Sequence, residues 1–319
     1  MESLKRFTCF ASILIALLAC AGRARGTDIG GDISSTLTLV DDSRLVSDVT
    51  CTAALITAPC IVLGADNITL RLDGHTITGP VVPPTGCSVT TDSAFGVGIL
   101  VNSQHDVKIQ GPGVIQNFER WGILLSSSTH VIVKRVTANR NCWSGMQTSS
   151  VSDSTFEEDV WANNAAGSNG AACGGICASN SNNNVIRKCA FYGNGSLDYE
   201  VGNVDFGLGF EGTSSGNRVE ENQLGGNVNG ILFFNTASDN IVRNNIIAGN
   251  PPAQVLKTFV LPSQQGADIA FRSNFAGADN TFRDNFCLTY IGPGTPPCPN
   301  VQLKQNHERD EHDHERDDR

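Results

Sequence analysis

One segment of the chain holds its densest group of carboxylates together with an aromatic side chain. It contains Asp198, Tyr199, Glu200, Asp205 and Glu211. Two carboxylates that face each other across a sugar ring can act as acid and base, or as acid and nucleophile. Carboxylate oxygens are also ligands that Ca²⁺ prefers, and a third interpretation is that these acids only solvate a long loop. The residue types alone leave all three interpretations open.

A six-residue repeat must position these side chains. Each copy starts with a small polar or amide residue, has an apolar side chain at its third place and ends at a corner, and the copies begin at His130, Ser154, Asn184, Asn217, Asn240 and Asn280. A strand opened by glycine precedes nearly every copy, and a third short apolar stretch follows it. One such coil cannot bury its apolar side chains alone, so successive coils must stack with like strands paired in parallel. The sequence therefore predicts an all-β parallel β-helix with three short strands per coil.

Composition agrees with this prediction and excludes other classes of protein. Only 17% of the 319 residues are charged, and 33 are glycine, which favours turns over helices. A helical bundle or coiled coil is therefore excluded. The net charge of −10 argues against nucleic acid as a partner, because no basic stripe faces phosphate groups. Beyond the N-terminal segment, no apolar run is long enough to span a membrane.

The two ends of the chain are predicted to lie outside the folded domain. Residues 1–26 have the charged, apolar and small-residue order of a signal peptide, which predicts a secreted or periplasmic protein. A lipid anchor at Cys20 is the alternative to simple cleavage. Residues 301–319 are acidic, contain histidines and carry little apolar surface, so we expect a disordered tail. The β-helix domain then occupies residues 27–300, with first coils at 36–80 and regular coils at 96–290.

Nine cysteines remain after removal of the signal, and they enter an oxidising compartment. An odd number leaves at least one unpaired. The short loops predict disulfides from Cys51 to Cys60 and from Cys287 to Cys298. The repeat suggests a further pair between Cys142 and Cys173.

Two recurring patterns have structural interpretations. Asn222, Asn245 and Asn285 recur at one corner, where amides of neighbouring coils can hydrogen-bond along a ladder. Charges that alternate in sign from coil to coil follow the repeat, which indicates register specification and not a site; they are Glu157, Glu158, Arg187, Lys188, Glu220, Glu221, Arg243 and Arg283.

The stretches Leu45–Cys51 and Ile61–Gly79, the second with an Asp-Gly-His-Thr-Ile turn, resemble the first coils of a known superfamily. This is the right-handed parallel β-helix (pectate-lyase-like) superfamily, and in particular its bacterial secreted β-helix-repeat, NosD-like members. The resemblance covers residues 36–290 and implies a single right-handed parallel β-helix (solenoid) domain. It is a poor guide to function, because the superfamily holds lyases, hydrolases, epimerases, tailspikes and adhesins. The Gly-His-Gly of polygalacturonases and the Trp-x-Asp-His of pectate lyases are absent.

The resemblance implies a ligand groove outside the strand that here opens with glycine. The loops before that strand are longest at residues 165–174, 195–206 and 251–266, which would wall the groove on one side. Alternation along residues 206–211 sends Leu208 and Phe210 inward and Glu211 outward.

From this placement we expect polysaccharide as the partner. The catalytic residues, if the protein is a polysaccharide lyase or glycoside hydrolase, would be Glu211, Asp205 and Asp198. The substrate-binding residues would be Arg272, Tyr199, Glu200, Phe234 and Gln147. Ca²⁺ is the one cofactor that the carboxylates suggest. The alternative is a non-catalytic structural or NosD-like accessory protein, although a mature chain whose single methionine is Met146 offers little for copper.

Overall fold

The computed structural model describes residues 26–52, 58–83, 87, 96–165, 174–195, 205–234, 236–250, 267–272, 279–292 and 297–298. Residues 1–25 of the predicted signal peptide and the predicted tail at 301–319 lie outside the described residues.

The described chain contains strands only, arranged in two sheets. Sheet B has ten strands: β2 (Leu37–Leu39), β4 (Pro59–Leu63), β7 (Val97–Asn102), β9 (Trp121–Ser126), β11 (Ser144–Ser149), β14 (Gly174–Ser179), β17 (Phe206–Glu211), β20 (Ile231–Phe234), β23 (Ile269–Arg272) and β26 (Tyr290–Ile291). Sheet A has sixteen strands: β1 (Thr27–Ile33), β3 (Ser43–Cys51), β5 (Thr69–Arg71), β6 (Thr76–Thr78), β8 (Lys108–Gln116), β10 (Ile132–Asn139), β12 (Thr155–Glu157), β13 (Val160–Ala162), β15 (Val185–Arg187), β16 (Ala190–Tyr192), β18 (Arg218–Glu220), β19 (Gln223–Gly225), β21 (Ile241–Arg243), β22 (Ile246–Ile247), β24 (Thr281–Arg283) and β25 (Phe286–Cys287).

Every strand pair in the two sheets is parallel, as a coiled chain requires. One regular coil contains a strand of sheet B followed by two strands of sheet A, as in β14, β15 and β16. Each strand then pairs with its counterpart in the next coil, so that β14 pairs with β17 and β15 with β18. The predicted fold, a right-handed parallel β-helix with three short strands per coil, is confirmed.

The core is a continuous column of inward side chains. Leu208 and Phe210 of β17 are fully buried, as the alternation predicts. Phe210 stacks on Phe233 of the next coil with ring centroids 5.3 Å apart, and Phe233 stacks on Phe271 at 5.0 Å. Aromatic stacking adds to the burial of apolar area in holding consecutive coils together.

The predicted asparagine ladder is present. Asn222 Nδ2 donates to Asn245 Oδ1 at 3.0 Å, and Asn245 Nδ2 donates to Asn285 Oδ1 at 2.9 Å. Two further ladders follow other corners; their members are Asn184, Asn217, Asn240 and Asn280 in one, and Asn141, Asn164, Asn194, Asn227 and Asn250 in the other. These buried amides satisfy one another and the adjacent main chain, which is a structural role.

The ladder of Asn222 is broken on its N-terminal side. Cys189 occupies the equivalent position in the preceding coil and donates its main-chain N–H to Asn222 Oδ1 at 2.9 Å. Because its side chain is a thiol, it provides no amide for a hydrogen bond with the equivalent position one coil further towards the N-terminus. That place holds Asp159, whose Oδ2 atom finds no hydrogen-bond partner among the described residues. Burial raises the pKa of the Asp159 carboxyl well above its ordinary value, so the neutral form persists to a higher pH than in an ordinary aspartate.

Three disulfides close loops in the described chain. The predicted pairs Cys51–Cys60 and Cys287–Cys298 are confirmed. The predicted partner of Cys142 is wrong, because Cys142 pairs with Cys87 at a Cα separation of 5.6 Å.

The reason for this error is that the repeat describes only the coils. Cys87 belongs to the connection between β6 and β7, which carries no copy of the repeat. Cys173 lies outside the described residues, and Cys177 and Cys189 are free and buried.

Glu157, Arg187, Glu220 and Arg243 of the predicted charge row lie on the outer side of β12, β15, β18 and β21, a surface we call the charged face, whereas Glu158, Lys188 and Glu221 follow these strands at a corner. Lys134 and Arg187 both contact Glu157, each at 3.1 Å. Arg218 and Arg243 contact Glu220 at 2.7 and 3.1 Å. Glu157 and Glu220 thus each lie between two bases, as expected for side chains that specify register.

Candidate functional site

The outer side of sheet B carries one row of side chains in continuous register across the coils, which we call the outer row. Its members are Val62, Leu100, Leu124, Gln147, Cys177, Gly209, Leu232 and Ala270. The first four are half-buried, whereas the last four are buried. The row therefore changes at Gln147 from an accessible strip to a covered one.

Glu211 lies beside this change, at the end of β17 and in register with Ser179. Its side chain is half-buried, and its carboxylate accepts a hydrogen bond from the Cys177 thiol. Burial raises the pKa of Glu211 by more than this hydrogen bond lowers it, and no basic side chain of the described residues acts on it. Glu211 therefore keeps its proton to a higher pH than an ordinary carboxyl group, and it can donate that proton or a hydrogen bond.

Cys177 positions Glu211 and does not act as a nucleophile. The residue is 1% exposed. Burial and the neighbouring charge of Glu211 raise the pKa of the thiol well above its ordinary value, although a hydrogen bond from Gln147 opposes this. Because a thiol is nucleophilic only as a thiolate, Cys177 serves as a hydrogen-bond donor between Gln147 and Glu211.

An apolar cluster forms the floor next to these polar groups. Phe206, Leu232 and Ala270 are buried there in one cluster with Cys177, and Phe234 packs against this cluster. The Phe206 ring covers Gly209 so closely that a Cβ atom at Gly209 would lie 2.4 Å from the ring. Only glycine fits this place, so the glycine of the outer row is needed for packing and not for a turn.

The other predicted site residues have different outcomes. Gln147 and Phe234 are half-buried on the outer side of sheet B, as expected. Arg272 pairs with Phe234 through the main chain, and its side chain is outside the description. Asp198, Tyr199 and Glu200 lie outside the described residues.

Asp205 occupies a corner and not the accessible strip. It is 2% exposed, and its main-chain carbonyl accepts hydrogen bonds from Asn229 Nδ2 at 2.8 Å and from Asn229 N at 3.2 Å. Its neighbour across the corner is Gly195. The expectation that Asp205 shares the accessible groove with Glu211 is therefore corrected, because residue 205 precedes β17, where the chain is still turning into the strand.

A second polar and aromatic cluster at the start of the sheet B strands was missed by the sequence argument. The Arg120 guanidinium carbon lies 4.3 Å from the centroid of the Trp143 ring and 5.7 Å from that of Trp121. The two indoles pack edge to face at 5.9 Å and are half-buried, whereas Arg120 is only 8% exposed. Arginine between two tryptophans is a favourable cation–π arrangement. The available signal was a tryptophan one or two residues before the opening glycine of two strands, Trp121 before Gly122 and Trp143 before Gly145.

A cleft of about 1070 Å³ lies elsewhere, on the outer side of the first strands of sheet A. Arg44 lines it and donates to Asp28 at 2.8 Å, while Asp42 accepts from the main chain of Thr69 at 2.8 Å. The Arg44 and Asp42 side chains are therefore hydrogen-bonded within the chain.

Neither a metal-binding cluster nor a membrane-spanning helix is found among the described residues. The described ranges contain no group of three or more His, Cys, Asp or Glu side chains that could hold a metal ion. They also contain no helix with the length and apolar character that crossing a membrane requires.

The comparisons with known proteins agree on the fold. A family model described as "Right handed beta helix region" matches residues 97–287. The Dettilon tailspike protein (gp208) superposes with a TM-score of 0.53 at 15% identity, over 80% of this chain and 53% of that one. The A-module of the Azotobacter vinelandii mannuronan C-5 epimerase AlgE6 superposes with a TM-score of 0.50 at 13% identity, over 85% of this chain and 86% of that one. No curated protein sequence matches the chain.

Proposed function

Because the chain belongs to the right-handed beta helix family, we propose that it binds a polysaccharide along the outer side of sheet B. The observation that carries this proposal is the outer row itself. Leu100, Leu124 and Gln147 offer apolar surface and an amide at successive strands, which are about 4.8 Å apart in such sheets. An extended chain of sugar residues presents apolar ring faces and hydroxyl groups at a comparable, regular spacing.

Glu211 gives this strip a polar end. A half-buried carboxylic acid with a raised pKa can donate a hydrogen bond to a sugar oxygen, or a proton to a leaving group if the protein is a lyase or hydrolase. The assignment of Asp198, Tyr199, Glu200 and Arg272 to the same surface stays a prediction. The similar AlgE6 module is a mannuronan C-5 epimerase, which is consistent with a polysaccharide as the partner here.

Export of the protein is part of the proposal. Three disulfides form within the described chain, and disulfides persist in oxidising compartments. They support the signal peptide predicted at residues 1–26 and thus a secreted or periplasmic location, where polysaccharides are accessible. A lipid anchor at Cys20 stays a prediction.

The test incubates the mature protein with a panel of acidic and neutral polysaccharides, with Ca²⁺ and with a chelator. Binding is measured by co-sedimentation, and chemistry by the ultraviolet absorbance of unsaturated products and by new reducing ends. We expect binding to at least one polysaccharide. Absorbance would identify a lyase, and reducing ends without absorbance a hydrolase. A protein that binds no member of the panel would contradict the proposal and favour the structural or accessory alternative.

A pair of variants locates the binding surface. Leu124→Glu places a charge in the outer row, and we expect at least a tenfold loss of affinity, about 1.4 kcal/mol. Ile241→Glu makes the same change at a residue that is 38% exposed on the outer side of sheet A, and we expect no loss. Equal effects of the two substitutions would show that the glycan binds elsewhere.

A further inference from the structure

A third surface of the β-helix is distinct from both the outer row and the charged face. Its side chains form two rows in register, and neither row contains a charged side chain. We call it the third face; it is the outer side of β13, β16, β19, β22 and β25, with the second halves of β8 and β10. One row is Val114, Thr137, Val160, Ala190, Gln223, Ile246 and Phe286. The other row is Gln116, Asn139, Ala162, Tyr192 and Gly225.

Three of the seven exposed large apolar side chains of the described residues lie on the third face or at its edge. Tyr192 is 43% exposed and Ile246 is 54% exposed. Leu288, which directly follows β25, is 64% exposed. Exposed apolar surface that forms one continuous strip is typical of an interface with another molecule.

A charged corner borders the third face along one edge. Arg135, Glu158, Lys188 and Glu221 follow one another there at φ values of 57°, 60°, 54° and 57°. Main-chain hydrogen bonds stack the corner, since Glu158 N donates to Arg187 O and Lys188 N to Glu220 O, both at 3.1 Å. All four side chains are exposed, and their signs alternate as plus, minus, plus, minus.

The order of these four charges is self-complementary when it is reversed. A two-fold axis that lies in the third face, perpendicular to the helix axis and between the coils of Glu158 and Lys188, brings this corner onto the same corner of a second copy running the opposite way. Arg135 then lies opposite Glu221 of the second copy, and Glu158 lies opposite its Lys188. All four contacts join opposite charges. A parallel arrangement would place the corner against the other edge of the face instead.

The same axis matches the shapes of the two rows. Tyr192 lies opposite Ala162 of the second copy, so that an exposed ring meets a small side chain. Ile246 lies opposite Val114, which joins two apolar side chains. Six coils at about 4.8 Å each make the contact some 30 Å long.

We propose that two copies of this chain associate antiparallel through the third face. The overall charge favours this surface, because chains of net charge −10 repel each other wherever their acidic surfaces meet, whereas the two rows are uncharged and the corner pairs with itself. The outer row of sheet B contributes nothing to the contact. Each copy therefore keeps its own outer row free, and the proposal does not depend on what that row binds.

The first test is sedimentation velocity of the full mature chain over a range of concentrations. We expect a reversible dimer whose dissociation constant rises with salt concentration, since the four charge contacts are exposed and screened. A protein that stays monomeric at high concentration in low salt would overturn the proposal.

A charge exchange tests the antiparallel geometry. Glu158→Lys places two like-charged contacts in the dimer, and we expect the dissociation constant to rise at least tenfold, about 1.4 kcal/mol. The double variant Glu158→Lys with Lys188→Glu restores opposite charges across the axis, and we expect it to dimerise again. Asp153→Lys makes the same charge change at an exposed corner away from the third face and serves as the matched control. Failure of the double variant to recover, with circular dichroism showing a folded protein, would overturn the antiparallel arrangement.

A further test distinguishes a second copy of this chain from a glycan as the molecule that covers the third face. Ala162→Arg fills the place opposite Tyr192, and we expect a monomer that is folded by circular dichroism and has unchanged glycan binding. If Ala162→Arg or Tyr192→Ala weakens glycan binding and leaves the mass of the particle unchanged, the third face is a glycan surface and the proposed dimer is wrong.

Discussion

The charged face of sheet A and the outer side of sheet B are built from strands in the same parallel register, yet their acids are treated in opposite ways. Glu157 lies between Lys134 and Arg187. Burial acts to raise the pKa of Glu157, but the hydrogen bonds from these two bases outweigh it and lower that pKa. Glu211 has a thiol as its neighbour, and burial raises its pKa.

The difference separates acids that specify the fold from an acid that is available to a ligand. On the charged face Glu157 is satisfied by bases of the two adjacent coils, and Glu220 by Arg218 of its own strand and Arg243 of the next coil, so a mismatched register would lose contacts between coils. Glu211 has no such compensation among the described residues. An acid kept partly desolvated without a countercharge is destabilising unless another molecule uses it, and such groups cluster at functional sites.

The largest expected effect concerns the apolar floor on the sheet B side. Phe206→Ala removes a fully buried ring that covers Gly209, and we expect the free energy of unfolding to fall by about 3–5 kcal/mol. Urea denaturation measures this. Ile241→Ala, on the sheet A side, should change the same quantity by less than about 0.5 kcal/mol. Similar losses for both variants would mean that the floor is not a packed unit.

The next effect distinguishes the two kinds of acid by ligand binding. Glu211→Ala removes the carboxyl group from the proposed site, and we expect the affinity for the bound polysaccharide to fall by about 10- to 100-fold, or about 1.4–2.7 kcal/mol. Titration calorimetry measures it. Glu157→Ala, the matched change on the charged face, should leave the affinity unchanged; a loss with Glu157→Ala alone would reverse the assignment of the two faces.

A smaller effect is expected on the free energy of unfolding, to which an acid of the charged face contributes and Glu211 does not. Glu220→Gln weakens the contacts with Arg218 and Arg243, and we expect a loss of about 0.5–1.5 kcal/mol in the free energy of unfolding at pH 7. Glu211→Gln should cause no loss at that pH, because it removes no ion pair of the described residues and replaces a desolvated carboxyl group by a neutral amide. Thermal unfolding of the two variants side by side provides the measurement, and an equal loss in both would contradict the distinction.

The smallest effect is an opposite dependence on pH. The pKa of Glu211 is higher in the folded protein than in the unfolded chain, so folding loses stability as pH rises from about 4.3 through the folded value. The pKa values of Glu157 and Glu220 are lowered, so their stabilisation is present above about pH 4.3 and disappears as pH falls through the folded values. Thermal midpoints of the Glu211→Gln and Glu157→Gln variants from pH 3 to 7, compared with the unsubstituted protein, should diverge in opposite directions. If the thermal midpoints of both variants changed with pH in the same way, the proposed electrostatic difference between Glu211 and Glu157 would be contradicted.

Much of the fold is predictable because it repeats. The spacing of Asn222, Asn245 and Asn285 is enough to predict a ladder, since equivalent places on stacked coils must meet. The loops between Cys51 and Cys60, and between Cys287 and Cys298, are short enough to predict their disulfides. Leu208 and Phe210 face inward as simple alternation requires.

The candidate site is less predictable because it depends on departures from the repeat. Glu211 is placed outward by alternation, but its contact with Cys177 of the preceding coil depends on side-chain conformation. Asp205 belongs to the same loop in sequence, yet it is buried at a corner. The packing of Arg120 between Trp121 and Trp143 joins two coils whose alignment is known only after the register is fixed.

The sequence by itself therefore determined the coil, its parallel stacking, the ladder of Asn222, Asn245 and Asn285 and the two short disulfides, because each follows from local spacing along the chain. Only the tertiary structure decided that Cys142 pairs with Cys87, that the acids of the charged face lie between bases and that Glu211 does not, and that Arg135, Glu158, Lys188 and Glu221 border an uncharged face. The physical reason is that burial, charge pairing and contact between non-repeating segments depend on distances across coils, and these distances are fixed only when the coils are stacked.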